Sequence, residues 1–399
     1  MKLAYLMTQS LDSPSGLGRF GPMARSLARR GHEVEVYALH PDIDTLADRD
    51  FEDQGVKVHY VAPMHVKKSG NTKSYYPNWK FAGLAAYATL RLATAVANSS
   101  AEIVHICKPH PMNGLAGIVM ARLKHKRVFV DCDDYETGSS RFSGRWQKSM
   151  LSYFEKRIPL QAEMVTTNTH FMRGLLESWG VQPDRILYLP NGVEPTRFIR
   201  PNELRLQTLR QELKIEEKPV ISFIGSLSLP SHPVDLLIQA FATLARRMSE
   251  PILLLVGGGE DLEHLRNMVL ELGLEERVRF CGRVLPEEVV DYYAISDISI
   301  DPVHDDAAAR GRSPLKLFES WACGAPFVTA DVGDRRVLAG APPAASLVRP
   351  GDPLELAETL VNLLSNPQER ETLRRRGLER VENYYWDRLI LQLERFYGV

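Results

Sequence analysis

The stretch RGRSPLKLFESWACGAP, residues 310–326, has the residue types and spacing best suited to chemistry. Ser313 is a favoured N-cap, Pro314 suits the first helical position, and Gly324 with Pro326 beyond it stops a helix. The spacing therefore predicts a helix that opens at Ser313-Pro314. On it Leu315, Phe318 and Ala322 fall on a packing stripe, and Lys316, Glu319, Ser320 and Cys323 on a second stripe available to a ligand. Free N–H groups and a partial positive charge at the helix start, joined by the Lys316 ammonium, suit a diphosphate. Glu319 lies about 9 Å further along a helix rising about 1.5 Å per residue. A carboxylate there suits a sugar diol beside the diphosphate, as in a nucleotide. The plainer alternative is a buried helix with a solvated Lys and Glu face.

Two further segments are site candidates. VFVDCDDYET, residues 128–137, ends a buried strand in Asp131, Asp133 and Asp134, where open α/β sheets place ligand crevices. Three readings stand: a Mg2+ or Mn2+ site, a phosphotransferase of the haloacid dehalogenase kind, or one carboxylate facing a sugar while the others cap the next helix. The second normally continues with Thr where this chain has Tyr135. The third is the favoured reading, without a metal. In QSLDSPSGLG, Gly16-x-Gly18-x-x-Gly21 formally matches the dinucleotide fingerprint, but some seven residues separate the first glycine from the strand. It is better read as a glycine loop at the carboxyl end of the first strand; a plain surface loop is the alternative.

The elements that must position these residues alternate. Strands are expected at 3–8, 33–39, 56–61, 103–107 and 128–131, with helices at 19–30, 81–98, 112–124, 146–158 and 170–179 between and after them. Asn191-Gly192 and Pro195 make a turn and hinge. The pattern then restarts: strands at 220–225, 252–256, 278–281 and 298–300, with helices at 233–248, 261–272 and 286–294. Such alternation implies parallel sheets wrapped by helices. The expected architecture is α/β, two doubly wound Rossmann-like domains facing each other across a cleft, with a boundary near Arg200. The polar segment 66–79, containing Lys67, Lys68, Lys73, Tyr75, Tyr76 and Trp79, is expected to be a loop, with contact to an acceptor or headgroup region as the sharper reading.

At 399 residues the chain suits two domains, and 25% charged with 44% hydrophobic residues is ordinary for a soluble protein. MKLAYLMTQS reads as a buried strand, not a signal peptide. Arg91 interrupts the most apolar stretch, 81–97, so no membrane span is expected. Cys107, Cys132, Cys281 and Cys323 form no CxxC pair and are expected to be reduced, mostly buried thiols of a cytoplasmic protein. Residues 1–195 carry 24 Lys and Arg against 19 Asp and Glu, and the remainder 25 against 31. The basic half hints at an anionic partner such as a lipid surface or a phosphorylated acceptor, and nothing points to nucleic acid.

The chain resembles the family 4 glycosyltransferases, retaining enzymes of the GT-B fold. PNGVEPTRF is similar to that family's linker, ISFIGSL to its first second-domain strand, LLLVGGGED to its glycine loop and VRFCGRV to its base-contacting strand. KLFESWACGAPFVTADVG is similar to its signature helix and following strand, and YYWDRL to its final helix. The resemblance implies residues 1–199 as an acceptor-binding domain, 200–378 as a nucleotide-sugar domain, and 379–399 as a helix returning to the first.

It further implies that Glu319 binds the ribose hydroxyls and that Ser313, Pro314, Leu315 and Lys316 cradle the diphosphate. Arg283 and Val284 would meet the base, and Gly16 and Gly18 the donor phosphate. Gly225, Ser226, His232 and Gly257 would complete the donor site. Three departures stand out: Gly311 where a second Glu is frequent, Ser226 and His232 near the places of an Arg and Lys pair, and Asp131-Cys132-Asp133 where a strand often ends in His.

Sugar transfer develops an oxocarbenium-like centre while a diphosphate departs, so fixed positive groups on the phosphate carry the catalysis. Lys316, the Ser313 helix start and Arg310 or Arg312 are the expected electrophilic groups, with Lys316, Arg312, Asp131 and Asp133 the expected catalytic residues, the two aspartates in the acceptor half. Front-face transfer to a glycan, lipid or small-molecule hydroxyl follows, with no cofactor or obligatory metal and with domain closure excluding water. Peripheral contact with the inner membrane face is a further expectation. A catalytically silent nucleotide-sugar-binding subunit and a nucleotide-sugar epimerase are the alternatives.

Overall fold

Sixteen strands are present among the described residues of this computed structural model. It describes residues 1–64, 66–69, 72–140, 142 and 144–398, with backbone alone at 67–69, 72–75 and 78. They are β1 (Lys2–Met7), β2 (Glu33–His40), β3 (Asp50–Asp53), β4 (Val56–Pro63), β5 (Val66–Ser69), β6 (Thr72–Tyr75), β7 (Ile103–Cys107), β8 (Arg127–Cys132), β9 (Met164–Thr167) and β10 (Ile186–Tyr188). The series continues with β11 (Val220–Ile224), β12 (Ile252–Val256), β13 (Val278–Gly282), β14 (Ile298–Asp301), β15 (Phe327–Ala330) and β16 (Ser346–Val348). One sheet runs β10-β9-β8-β7-β1-β2-β4-β3, and another β13-β12-β11-β14-β15-β16. Pairing is parallel throughout both, except that β3 lies antiparallel on β4 at the edge.

The continuous apolar runs follow from burial of both faces of a parallel sheet. Along β1, Leu3, Tyr5 and Met7 join one core while Ala4 and Leu6 join the other. The helices Gly21–Arg29 and Trp386–Tyr397 cover the first core; Asn78–Asn98, Pro111–Leu123, Arg145–Gln161 and His170–Ser178 cover the second. Along β11, Ile221 and Phe223 face the helices Val234–Ala245 and Pro353–Ser365, and Val220 and Ile224 face the layer holding Leu317, Phe318 and Trp321.

The chain divides into two compact units. One comprises Met1–Gly192, Gly311–Ser313 and Trp386–Val399, the other Val193–Arg310 and Pro314–Tyr385. The sequence puts the division near 199/200, because the hinge signal at Asn191–Pro195 leaves its place open by several residues. Trp386–Tyr397 belongs to the first unit, where Trp386, Leu389 and Leu393 are buried.

The segment expected to be a loop, 66–79, instead contains the antiparallel hairpin β5–β6 and the start of the helix Asn78–Asn98. The side chains of Lys67, Lys68, Lys73 and Tyr75 lie outside the described residues. The glycine loop is also more ordered than expected: Gly16–Phe20 is one wide helical turn running into Gly21–Arg29. A Cβ on Gly16 would come 2.3 Å from the Leu11 carbonyl oxygen, so the glycine serves the loop's own folding.

Candidate functional site

In open parallel sheets, ligands sit outside the carboxyl ends of the strands where the strand order reverses. In the second unit that place is between β11 and β14. β11 runs into Gly225 and β14 ends at Asp301. The Asp301 carboxylate is buried and shared: Lys316 Nζ lies 3.1 Å from Oδ1, Arg335 donates to Oδ2 at 3.1 Å, and His232 Nδ1 is 3.5 Å from Oδ1. Arg335 is anchored further by Thr329 Oγ1 and the Val332 carbonyl. Burial alone would raise the Asp301 carboxyl, but Lys316, His232 and Arg335 outweigh it and hold it well below the usual carboxylate range. Lys316 and Arg335 thus share one carboxylate.

Two glycines let these groups approach. A Cβ on Gly225 would lie 2.7 Å from Lys316 Cε. Gly257, after β12, has φ +137°, and a Cβ there would come 1.9 Å from the Gly225 carbonyl oxygen. Side chains at these positions would displace the Lys316 stem or the chain beyond β11. Lys316 Nζ also lies 3.3 Å from each ring nitrogen of His232. Ser226 is exposed beside Gly225; Arg283 is exposed and Val284 half-buried beyond β13.

The signature helix spans Leu315–Ala322, one residue shorter at its start than the spacing predicts. Pro314 takes the cap position, and no side chain caps the first turn. Ser313 is not the capping residue: its hydroxyl accepts from the Asn191 amide at 3.3 Å, and its carbonyl accepts from Asn191 Nδ2. The packing stripe also differs. Leu317, Phe318 and Trp321 are the apolar residues buried on it, with Ser320 and Cys323 also inside, while Leu315 and Ala322 are half-buried. The helix is covered on more than one side, so its core arc is wider than a single stripe.

Lys316 and Glu319 remain part-exposed, one turn apart. Glu319 accepts from the buried Tyr293 hydroxyl at 3.1 Å. Burial raises its carboxyl above the ordinary value, against the pull of Arg197, Tyr293 and Lys316. Arg310 pairs with Asp305 through two hydrogen bonds of 2.6 and 2.8 Å, while Arg312 is half-buried.

In the first unit the order reverses between β1 and β7. Asp131 on β8 is wholly buried: Arg19 Nε and Nη2 reach its two oxygens at 2.9 and 2.7 Å, and Thr166 also donates to it. Arg19 continues to the Leu189 carbonyl and to Asn191 Oδ1. Gly16 and Gly18 belong to the turn that aims Arg19 inward.

Lys108, just past β7 at φ +70°, is the cation of the acidic cluster, with Nζ 3.2 Å from Asp133, 2.7 Å from Asp134 and 2.7 Å from Glu136. These three carboxylates are also spaced closely enough to share a metal ion. Burial opposes the Lys108 charge, but the carboxylates raise it well above its usual value. Burial raises the Asp133 carboxyl above its ordinary range, against the pull of Lys108. Burial would raise Glu136 too, yet Lys108 and His110 together lower it. His110 bridges Glu136 Oε2 at 3.0 Å and Thr8 Oγ1 at 2.6 Å.

The expectation that the spare aspartates cap the following helix is corrected. Glu155, from a distant helix, accepts from the Glu136 and Thr137 amides, because Lys108 offers Asp133 and Asp134 a full charge. Asp301, Arg335, Arg19 and Lys108 were not singled out from sequence. The one local signal was an acidic residue ending the apolar strand ISID. All four cysteines are free, and three are buried.

Comparison with known proteins gives the family. Residues 18–192 match the glycosyl transferase 4-like domain, and residues 218–366 match glycosyl transferases group 1. A D-inositol 3-phosphate glycosyltransferase of Corynebacterium efficiens is 29% identical over 252 residues, 61% of this chain and 58% of that protein. The chain thus spans little more than half the length of the first such relatives, 50 to 58%. A GDP-mannose-dependent alpha-(1-6)-phosphatidylinositol monomannoside mannosyltransferase of Mycobacterium tuberculosis is 27% identical over 77% of this chain and 78% of its own. Among solved structures, Anabaena HepE in complex with UDP-glucose superposes with TM-score 0.75 at 18% identity, covering 100% of this chain and 99% of that one. That superposition supports the GT-B fold, and with both halves matched in order, the chain belongs to the group 1, family 4 glycosyltransferases.

Proposed function

We propose that this protein moves a sugar from a nucleotide-sugar donor to a hydroxyl acceptor, with retention at the anomeric carbon and without an obligatory metal. The observation that carries the reading is the meeting of Lys316, His232 and the bare backbone of Gly225 at the β11/β14 switch point, with Glu319 one turn along the same helix. The diphosphate rests at the start of Leu315–Ala322, and Glu319 takes the ribose diol. As the glycosidic bond lengthens, charge grows on the leaving phosphate, and the Lys316 ammonium, already fixed by Asp301, meets it without rearranging. The acceptor hydroxyl attacks from the same face and gives its proton to a leaving phosphate oxygen, so no protein base is needed. Names of relatives support the donor class: one is GDP-mannose-dependent and another structure holds UDP-glucose.

In the acceptor half, the groups at the β1/β7 switch point are Thr8, His110 and the Lys108 cluster. They suit acceptor hydroxyls, while Asp131 holds Arg19 and the Asn191 turn in place and does not touch the sugar. The acceptor is a glycan or lipid hydroxyl presented at the inner face of a membrane.

The first test is a thermal-shift screen with UDP, GDP, ADP and their sugars, because a ligand bound only by the folded state raises the midpoint with its affinity. Incubation with the stabilising donor and candidate acceptors in EDTA should follow, with the product's anomeric configuration read by NMR. A retained product in EDTA supports the reading. Inversion or an EDTA-abolished reaction overturns its mechanism. Binding without turnover points to a silent subunit, and an isomerised donor to an epimerase.

A further inference from the structure

The solvent side of one helical layer of the first unit is unlike the rest of its surface. The helices Asn78–Asn98, Pro111–Leu123 and Arg145–Gln161 lie side by side, the middle one packed on both others, and their inner residues fill one core of the β10–β3 sheet. Their outer residues are not the polar set that a solvated helix shows. Trp79 is 78% exposed, Leu90 64% and Leu123 65%, with Tyr87, Val119 and Tyr153 also exposed. Trp79, Tyr87 and Leu90 on the first helix and Val119 and Leu123 on the second recur at helical spacing, so each set forms a stripe.

The charges on the same layer have one sign. The three helices contain seven Lys and Arg and a single acid, Glu155, which is buried and engaged with the Glu136 and Thr137 amides. Among the described residues, none of those seven cations forms an ion pair with a carboxylate. Lys156 and Arg157 instead lie over the rings of Trp179 and Tyr153. The opposite layer shows the contrast: Arg25 with Asp53, Arg29 with Asp387, and Arg30 and His32 with Glu394 are all paired. No helix is long and apolar enough to cross a membrane among the described residues.

We infer that this layer is a docking surface for an anionic lipid bilayer, lying flat with Trp79, Tyr87, Leu90 and Leu123 at the headgroup boundary and the lysines and arginines against lipid phosphates. Aromatic and aliphatic side chains backed by unpaired basic residues are what an interface-lying helix requires. A protein partner of matching size would have to supply a face both apolar and acidic, whereas an anionic bilayer supplies both properties everywhere on its surface. The docking deepens the reading of a membrane-presented acceptor and draws its purpose from that reading, while its physical basis is independent of sugar transfer.

The test is co-sedimentation of the full chain with vesicles of phosphatidylcholine alone and of phosphatidylcholine mixed with phosphatidylglycerol. Strong binding to the mixed vesicles, weak binding to the neutral ones and release by salt are expected. Lys148→Gln and Arg157→Gln should each weaken binding about fivefold, the factor for about 1 kcal/mol per basic residue at such a surface. Tyr87→Ser with Leu90→Ser and Leu123→Ser should weaken it by about tenfold or more. Because all five positions are exposed, the thermal midpoints should stay near wild type. Equal binding to both vesicle types, no binding to either, or wild-type binding by both sets of variants would overturn the proposal. Self-association lost in the triple variant without vesicle binding would overturn it too, in favour of a second copy. Donor binding by the variants should match wild type. A chain that binds vesicles and transfers nothing refutes the function above and leaves the docking intact.

Discussion

Lys316 Nζ lies 3.1 Å from Asp301 Oδ1, at the carboxyl end of β14, while the opposite oxygen holds the buried guanidinium of Arg335. The carboxylate fixes the ammonium in place. A charge that needs no reorientation at the moment of bond breaking is the kind that lowers a barrier most.

Lys316→Ala should therefore reduce kcat about 10²- to 10³-fold, the loss typical of removing one preorganised group that meets developing charge. Nucleoside diphosphate affinity, read by calorimetry, should change far less. Unaltered kcat would remove Lys316 from the mechanism.

Asp301→Asn leaves two cations without their shared partner and should destabilise the fold by about 3–5 kcal/mol at neutral pH, as for other broken buried pairs. The folded pKa of Asp301 is depressed. Its contribution is thus present above the ordinary carboxylate range, about pH 4, and disappears as pH falls through the folded value. Urea midpoints should show a wide gap between wild type and variant at pH 7 that narrows below about pH 4. A gap that ignores pH would show that the carboxylate charge is not its source.

Glu319→Gln tests the diol grip. Donor KM and the diphosphate Kd should rise with a smaller change in kcat, as expected of a contact made equally in the ground and transition states. Because the Glu319 carboxyl is raised, wild-type affinity should begin to fall at a higher pH than an ordinary carboxylate would dictate. The ratio of variant to wild-type Kd should shrink as pH drops. A constant ratio across that range would exclude an ionised Glu319 from binding.

Gly257→Ala puts a side chain at φ +137° and against the Gly225 carbonyl. Strain of about 1–3 kcal/mol is expected, together with a shifted chain after β11 and a loss of nucleotide affinity larger than the fall in thermal midpoint explains. Gly83→Ala, with nothing near the added Cβ, is the control: inside the helix Asn78–Asn98 it should raise the thermal midpoint slightly and leave nucleotide affinity unchanged.

Asp131→Ala should strand the buried Arg19 charge and cost about 3–5 kcal/mol. Arg19→Met with Asp131→Leu removes both charges and should recover much of that loss. Asp131→Asn, which keeps an acceptor for the Arg19 guanidinium, should retain kcat/KM within a few-fold where it folds; a knockout-sized deficit in that folded variant would show that Asp131 acts on substrate and the positioning role fails.

Local spacing was informative wherever the governing partner is a near neighbour in the chain. The apolar runs of β1, β11 and β12 could be read because a strand buried on both faces must be apolar at successive positions. The Lys316 and Glu319 placement followed from helical periodicity over three residues. The segment 66–79 misled because its polar composition resembles a loop, whereas antiparallel backbone pairing can form a hairpin there.

By itself the sequence determined two alternating α/β halves and a helix presenting Lys316 and Glu319, since propensity, caps and apolar period act over a few residues. Only the tertiary structure decided which charges meet: Asp301 with Lys316 fifteen residues on and Arg335 thirty-four on, and Asp131 with Arg19 112 residues back. Those pairings depend on strand order, which local spacing does not encode. A buried charge must find a partner wherever the sheet brings one, and here the reversal between β11 and β14 brought Asp301 to the place where Lys316 needed it.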